Sequence, residues 1–278
     1  MSRKLKRVIA RLDVKGPNIV KGVQMEGLRV LGDPEEFAEY YYNQGADEII
    51  FSDIVASLYG RNSLLEVVSK TAKNIFIPLT VGGGIRSLKD INDLLRAGAD
   101  KISLNSAAIK NPQLIDDAVK EFGASTITIA IEVNWLDKKY EILYNNGREL
   151  ANIDLEKWLI ECQERGAGEI LLTAIHRDGT GQGFDTKLID QVNKIVKVPL
   201  IVQGGAGSIN DIKKIISYEI DGVVLSSALH YTKIAQKKNT YKDTSSEGNK
   251  EFIKNKKTFL NFKNLDIQMI KQIVDLNV

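Results

Sequence analysis

A thirty-residue pattern occurs twice in this chain, 121 positions apart and without a gap. Pro78 to Ala107 reads PLTVGGGIRSLKDINDLLRAGADKISLNSA, and Pro199 to Ala228 reads PLIVQGGAGSINDIKKIISYEIDGVVLSSA. Twelve of the thirty positions are identical. At the same offset, Gly45-Ala46-Asp47-Glu48-Ile49-Ile50 faces Gly166-Ala167-Gly168-Glu169-Ile170-Leu171. A repeat of this length sets the architecture before any single residue is interpreted. Each copy reads as a strand, a Gly-rich turn, a helix and a second strand ending in Ser. Two such turns imply two similar anion pockets, and hence a ligand with two phosphates.

The bulk properties bound the answer. A chain of 278 residues with 43% apolar content builds either one large barrel or two ordinary domains. A net charge of only +2 argues against long-range attraction to nucleic acid or a membrane surface. The single cysteine, Cys162, excludes an internal disulfide and a multi-cysteine metal site, which fits a reducing cytosol. No apolar run has the length of a membrane span, and MSRKLKRVIARLDV lacks the features of a signal peptide. The expectation is a soluble, cytoplasmic protein.

Apolar runs alternate with amphipathic segments along the whole chain. Strands are expected at Arg7–Asp13, Glu48–Asp53, Phe76–Val81, Lys101–Asn105, Thr126–Val133, Glu169–Ala174, Leu200–Gln203 and Gly222–Ser226. Helical patterns lie between them, such as Asp33–Gln44, Leu88–Ala97 and Leu155–Arg165. Strands that each precede a helix imply a parallel sheet, closed here as a (β/α)8 TIM barrel of two similar half-barrels. A doubly wound open sheet accounts for the repeat less well. Neither half could bury its sheet alone, so residues 1–278 read as one domain. Two insertions depart from the pattern. Asn134–Arg148 alternates polar and apolar residues and contains Asn-Asn-Gly, the signature of a β-hairpin. Tyr231–Lys263 is polar and carries nine lysines against three acids. It reads either as a disordered insertion or as a basic flap over the phosphate end of the site.

Barrel chemistry sits at the carboxyl ends of the strands. Gly82-Gly83-Gly84 and Gly204-Gly205-Ala206-Gly207 end strands three and seven there. The helices beginning near Ser87 and Ser208 add positive dipole ends, and Ser106 and Ser227 can donate hydroxyls to the same anions. Asp13 and Glu132 occupy matching positions at the ends of strands one and five. They suit a division of proton donation and abstraction if their environments push their pKa values apart. The plainer reading makes them partners of neighbouring cations such as Arg11 or Lys21. Asp178, in Arg-Asp-Gly-Thr after strand six, also falls near the mouth. On the opposite face, Arg7, Glu48, Lys101 and Glu169 begin strands one, two, four and six. They form either a solvated rim or a paired ring that gates a central passage.

The motifs LDVKGPNIVKG, GADEIIFSDIVAS, IPLTVGGGIRS, RAGADKISLNSAAIKNP, RGAGEILLT, RDGTGQGFD and QGGAG occur in order. Nearly the whole chain, apart from about 231–263, thereby resembles the cyclase subunit of imidazole glycerol phosphate synthase. The resemblance implies a glutaminase partner on the amino-terminal face, whose ammonia enters through Arg7, Glu48, Lys101 and Glu169 and crosses the barrel. It implies attack on a bis-phosphorylated formimino aminoimidazole carboxamide ribotide, giving imidazole glycerol phosphate and the aminoimidazole ribotide. Asp13 and Glu132 match the catalytic carboxylates, and Lys21 matches the lysine of the first long loop. The substrate and its phosphates fall to Gly83, Gly84, Ser103, Asn105, Ser106, Asp178, Gly179, Thr180, Gly204, Gly205, Gly207, Ser226 and Ser227. No metal or organic cofactor is expected.

Four positions depart from the family pattern. Glu132 replaces an Asp, Arg11 a small cysteine, Gln203 a small residue, and His176 an acid. A guanidinium at Arg11 is expected to hold Asp13 ionised. The changes keep two alternatives open beside the cyclase. One is a divergent paralogue supplying ammonia for sugar amidation in acetamidino modification of surface glycans. The other is a non-catalytic channel subunit that activates the glutaminase.

Overall fold

The computed structural model describes residues 6–54, 64–236 and 262–275. Its barrel strands are β1 (Arg7–Lys15), β4 (Glu48–Asp53), β5 (Leu79–Gly82), β6 (Lys101–Leu104), β7 (Ile127–Leu136), β10 (Glu169–Ala174), β11 (Leu200–Gln203) and β12 (Gly222–Leu225). Each runs parallel to the next, and β12 pairs back onto β1, so the sheet closes. The (β/α)8 expectation holds.

Alternation along the strands divides the residues between two environments. On β1, Val8, Ala10, Leu12 and Val14 point outward into the main apolar core, together with residues of the surrounding helices. Ile9 points inward and meets Ile50, Leu171, Ile201 and Val224, with Ala130 beside them. The interior is therefore an apolar layer between two polar ends, Arg7 below it and Arg11 and Asp13 above. Each fully buried Ile or Leu of that layer contributes roughly 2 kcal/mol by leaving water.

The helix Leu88–Ala97 shows how the repeat encodes its ends. Ser87 accepts the Asp90 N–H at the N-cap, and Gly98 takes φ 114° at the C-cap, while Ile91 and Leu94 turn inward. The Asp of each copy has one structural task. Asp100 accepts the Leu79 N–H at 2.8 Å, and Asp221 accepts the Leu200 N–H at 2.9 Å. Both pairs are 121 residues apart, so the repeat survives in its hydrogen bonds.

Other features depart from the sequence reading. After β1, Asn18–Val23 (β2) and Glu26–Gly32 (β3) form an antiparallel ribbon that folds over the mouth and carries Lys21. The third barrel strand starts at Leu79 rather than Phe76, whose side chain is 80% exposed. Past the barrel rim, β7 pairs with Lys139–Tyr144 (β8) through a turn at Asp137 and Lys138, both at positive φ. Asn145-Asn146-Gly147 makes the following turn, towards Glu149–Leu150 (β9). The helix Ser227–Gln236 runs through Tyr231, Thr232 and Lys233, all buried. The polar stretch expected from Tyr231 therefore begins inside a packed helix, and residues 237–261 lie outside the described residues.

Candidate active site

At the carboxyl rim, β1 delivers Arg11 and Asp13 to the barrel axis, both buried. Asp13 is held on two sides, by Arg11 Nε at 2.8 Å and by Lys21 Nζ at 2.9 Å. Lys21 reaches from β2 and also pairs with Asp178 at 2.9 Å. Burial alone would raise the Asp13 pKa, but Lys21 and Arg11 outweigh it and bring it to about 2. Glu132, midway along β7 where that strand crosses the barrel rim, is also buried, but among the described residues no cation holds it at bonding distance. Burial raises its pKa to about 7, against the opposing pull of Arg11 and a hydrogen bond from the Gly147 N–H at 3.0 Å. The two carboxylates share one rim in opposite states, Asp13 fixed as an anion and Glu132 titrating near neutrality.

Arg11 stands between them. Its Nη1 donates to Gln203 Oε1 at 2.8 Å and its Nη2 to Ser52 Oγ at 3.3 Å. Beside it lies a cavity of ≈ 150 Å³ whose floor includes Ile50, Ala130 and Leu171 of the apolar layer. Gly83, Gly84, Ser103, Asn105, Ser106 and Glu132 complete its walls. Three of the four departures from the family pattern thus meet around one guanidinium. His176 does not join them; it pairs with Asp185 at 2.8 Å.

The two Gly-rich turns are built alike. A Cβ on Gly83 would lie 2.1 Å from the Asp53 carbonyl oxygen, and one on Gly204 would lie 2.6 Å from that of Ala174. Both glycines have positive φ, so tight packing of the turn on the neighbouring strand end demands them. Each helix after a turn carries a carboxylate in its own first turn. Asp90 accepts from the Arg86 N–H at 2.9 Å and Asp211 from the Gly207 N–H at 3.1 Å, so their own carboxylates occupy those ends.

The serines differ between the halves. Ser106 accepts the Asn145 N–H at 2.9 Å, so the β8–β9 turn closes over the first pocket. Ser227 Oγ, at the start of the helix Ser227–Gln236, is buried without a hydrogen-bond partner among the described residues. It lies beside Gly179, where an added Cβ would come within 3.4 Å of the hydroxyl. Gly205 and Gly207 pack against Gly183 and Gly181, and Lys263 N–H bonds to Gly207 at 3.2 Å, so the second turn is covered by chain. Thr180 donates its hydroxyl to the Arg177 carbonyl at 2.7 Å.

Sequence reasoning missed several mouth residues. Asn145 and Asn146 reach the first pocket only through the β8–β9 turn, and Lys110 and Arg86 supply cations to its edge. His230 was not singled out because a lone histidine in a helix carries no spacing signal. It is buried between Tyr41, whose oxygen lies 2.6 Å from Nδ1, and Ser226, whose oxygen lies 3.1 Å from Nε2. Burial, reinforced by Lys21, lowers its pKa to about 3, so the ring is neutral.

At the opposite end Arg7, Glu48, Lys101 and Glu169 close into a ring. Arg7 bonds Glu48 at 2.7 Å and also Glu169, while Lys101 lies 3.2 Å from Glu48 and 3.3 Å from Glu169. Thr80 and Thr128 donate to the two glutamates at 2.6 and 3.1 Å. Glu48 and Glu169 are buried, and the two cations keep partial exposure.

The model of a histidine biosynthesis protein family matches residues 7–235. The imidazole glycerol phosphate synthase subunit HisF of Legionella pneumophila is 52% identical over 206 residues, 74% of this chain and 97% of that protein. This chain belongs to the HisF family. HisF subunits of Natranaerobius thermophilus and Helicobacter hepaticus are 46% and 47% identical, over 84% and 82% of the chain and 93% and 91% of their own lengths. The match spans all eight barrel strands of this HisF-family chain. Among the described residues, no helix is long and apolar enough to cross a membrane, and no three His, Cys, Asp or Glu side chains gather as a metal site.

Proposed function

We propose that this chain is the cyclase-type subunit of an imidazole glycerol phosphate synthase in histidine biosynthesis, working with a glutaminase subunit docked on the face that carries the Arg7–Glu48–Lys101–Glu169 ring. Ammonia entering there crosses the apolar layer as the neutral molecule, since an ammonium ion would lose its hydration without a partner. It emerges at Ile50, Ala130 and Leu171, the floor of the mouth cavity. The bis-phosphorylated ribotide lies between the two Gly/Ser turns. Ammonia adds to it, the new ring closes, and imidazole glycerol phosphate separates from the aminoimidazole ribotide.

The observation that carries this reading is the pair of buried carboxylates on one rim, Asp13 bonded by Arg11 and Lys21 and so held low, Glu132 bonded by the Gly147 N–H and raised by burial to about 7. Ammonia addition and ring closure require protons to be both given and taken, and a group titrating near neutral pH does both. Asp13 keeps its charge throughout, so it orients Lys21 and Arg11. The test is turnover by the purified protein with the ribotide and ammonium salt, without glutamine. Formation of imidazole glycerol phosphate, abolished in Asp13→Asn and Glu132→Gln, is the expected result. Activation of a glutaminase on mixing, with no product from the ribotide, would reject the cyclase.

A further inference from the structure

We propose that Arg11, held in place by Asp13 and Gln203, forms an oxyanion-binding subsite at the barrel axis, which makes it a catalytic residue of this chain. The inference rests on the cyclase-type reading. It assigns the site a substrate oxygen, carried by a phosphorylated carbonyl compound, directly above the point where ammonia emerges.

The hydrogen-bond inventory points there. A guanidinium has five N–H donors, and Arg11 commits three, to Asp13, Gln203 and Ser52. Each terminal nitrogen keeps one N–H beyond these bonds. Arg11 has no acceptor, so Gln203 must turn its carbonyl oxygen towards it, which fixes the amide orientation. Gln203 Nε2 then faces away from Arg11 and is buried without a partner among the described residues. Arg11 lines the mouth cavity and Gln203 does not, so Gln203 positions the guanidinium rather than meeting the substrate.

The surroundings supply the rest of the reaction geometry. Arg11 and Glu132 wall the same cavity, whose floor is Ile50, Ala130 and Leu171 and whose far end is the Gly83–Gly84 and Ser106 turn. A substrate with its phosphate at that turn presents its carbonyl over the apolar floor, with Arg11 on the oxygen and Glu132 within the same space. The ammonia lone pair forms the C–N bond, and the C=O π pair moves onto oxygen, where the guanidinium meets it. The Glu132 carboxyl protonates that oxygen, and its carboxylate takes a proton from the new ammonium centre. The carboxyl regenerated by that transfer then protonates the hydroxyl, and water leaves as the nitrogen lone pair forms the C=N bond of an iminium. Asp13 anchors Arg11 without taking part in proton transfer.

Kinetics of Arg11→Met, Arg11→Lys and Gln203→Leu with the ribotide and ammonium test the proposal. Arg11→Met should lower kcat 10²–10³-fold, roughly the loss for one oxyanion donor, with KM changed less than about threefold. The pH limb assigned to Glu132 should move upward in Arg11→Met, because the nearby positive charge that favours its anion is gone. Gln203→Leu should lower kcat about tenfold, and Arg11→Lys should keep the limb near its original pH without restoring the rate. A folded Arg11→Met with kcat within threefold of the parent, or a loss of kcat with an unmoved limb, overturns the proposal. If Arg11→Met does not fold, Arg11→Lys and Gln203→Leu decide it, and parental kcat in both overturns it. If the parent protein does not turn over the ribotide, the cyclase reading fails and the subsite is judged separately with formate soaked into crystals. A formate oxygen bonded to Arg11 in the mouth cavity, and lost in Arg11→Met, supports the subsite; formate elsewhere or absent rejects it.

Discussion

Glu132 concentrates the conflict between stability and chemistry in one side chain. Its folded-state pKa of about 7 lies above the ordinary 4.5, so the folded chain retains a proton that the unfolded chain releases. Stability therefore falls as pH rises from about 4.5 to about 7 and levels off beyond. The difference of about 2.5 pKa units corresponds to ~3 kcal/mol. Glu132→Gln keeps an acceptor for the Gly147 N–H and removes the ionisation. It is expected to raise Tm by several degrees at pH 8, to leave Tm unchanged below pH 4.5, and to cut kcat at least 10²-fold. Melting curves across that range beside ammonium-dependent kinetics check both halves. Asp13 runs the other way: its pKa of about 2 lies below the ordinary 3.8. Its ion pairs stabilise the fold above pH 3.8, and that contribution disappears as pH falls through 2. Asp13→Asn should therefore destabilise most at neutral pH, and its deficit against the parent in urea unfolding should shrink below pH 3.

At the scale of elements, the β8–β9 turn and the glycine bends do what no single side chain could. Gly147 has φ 71°, and a Cβ there would meet Met25 Sδ at 3.0 Å and Ile175 Cδ1 at 3.2 Å. Gly147→Ala is expected to cost about 1–2 kcal/mol in urea unfolding and to shift the Glu132 limb of the pH–rate profile upward, as the N–H donor is displaced. Unchanged stability and an unmoved limb would mean that the turn does not hold Glu132. The repeat made the half-barrels legible, because paired glycines, capping serines and Asp100/Asp221 recur with one offset. Asp13 and Glu132 fall into the same twofold relation once a two-residue length difference between the halves is allowed. The β2–β3 ribbon was not, since Asn18–Gly32 matches no second copy and its pairing depends on where β1 ends. Nor could spacing reveal that Arg11 bonds Gln203, 192 positions away, or that a turn fifteen residues beyond Glu132 folds back to bury it.

For the molecule as a whole, the barrel joins two polar ends through an apolar waist, and the ring at the floor is the end most open to test. Arg7, Glu48, Lys101 and Glu169 sum to zero charge, each cation touching both glutamates. A buried ion-pair ring is a poor stabiliser compared with apolar packing. Its presence at the start of four strands therefore argues for a task other than stability. In Lys101→Met the glutamates lose one of their two shared cations, and the partial exposure of the ring limits the cost to about 1–2 kcal/mol. The mouth, on the far side of the Ile9–Ile50–Leu171–Ile201–Val224 layer, is left intact. If the ring admits ammonia from a glutaminase, this variant keeps ammonium-driven turnover within about twofold. In the same variant, product formed per glutamine hydrolysed falls well below the parental ratio. Equal loss with ammonium and with glutamine would instead make the ring a support of the fold, and an unchanged ratio would mean that ammonia reaches Glu132 by another path.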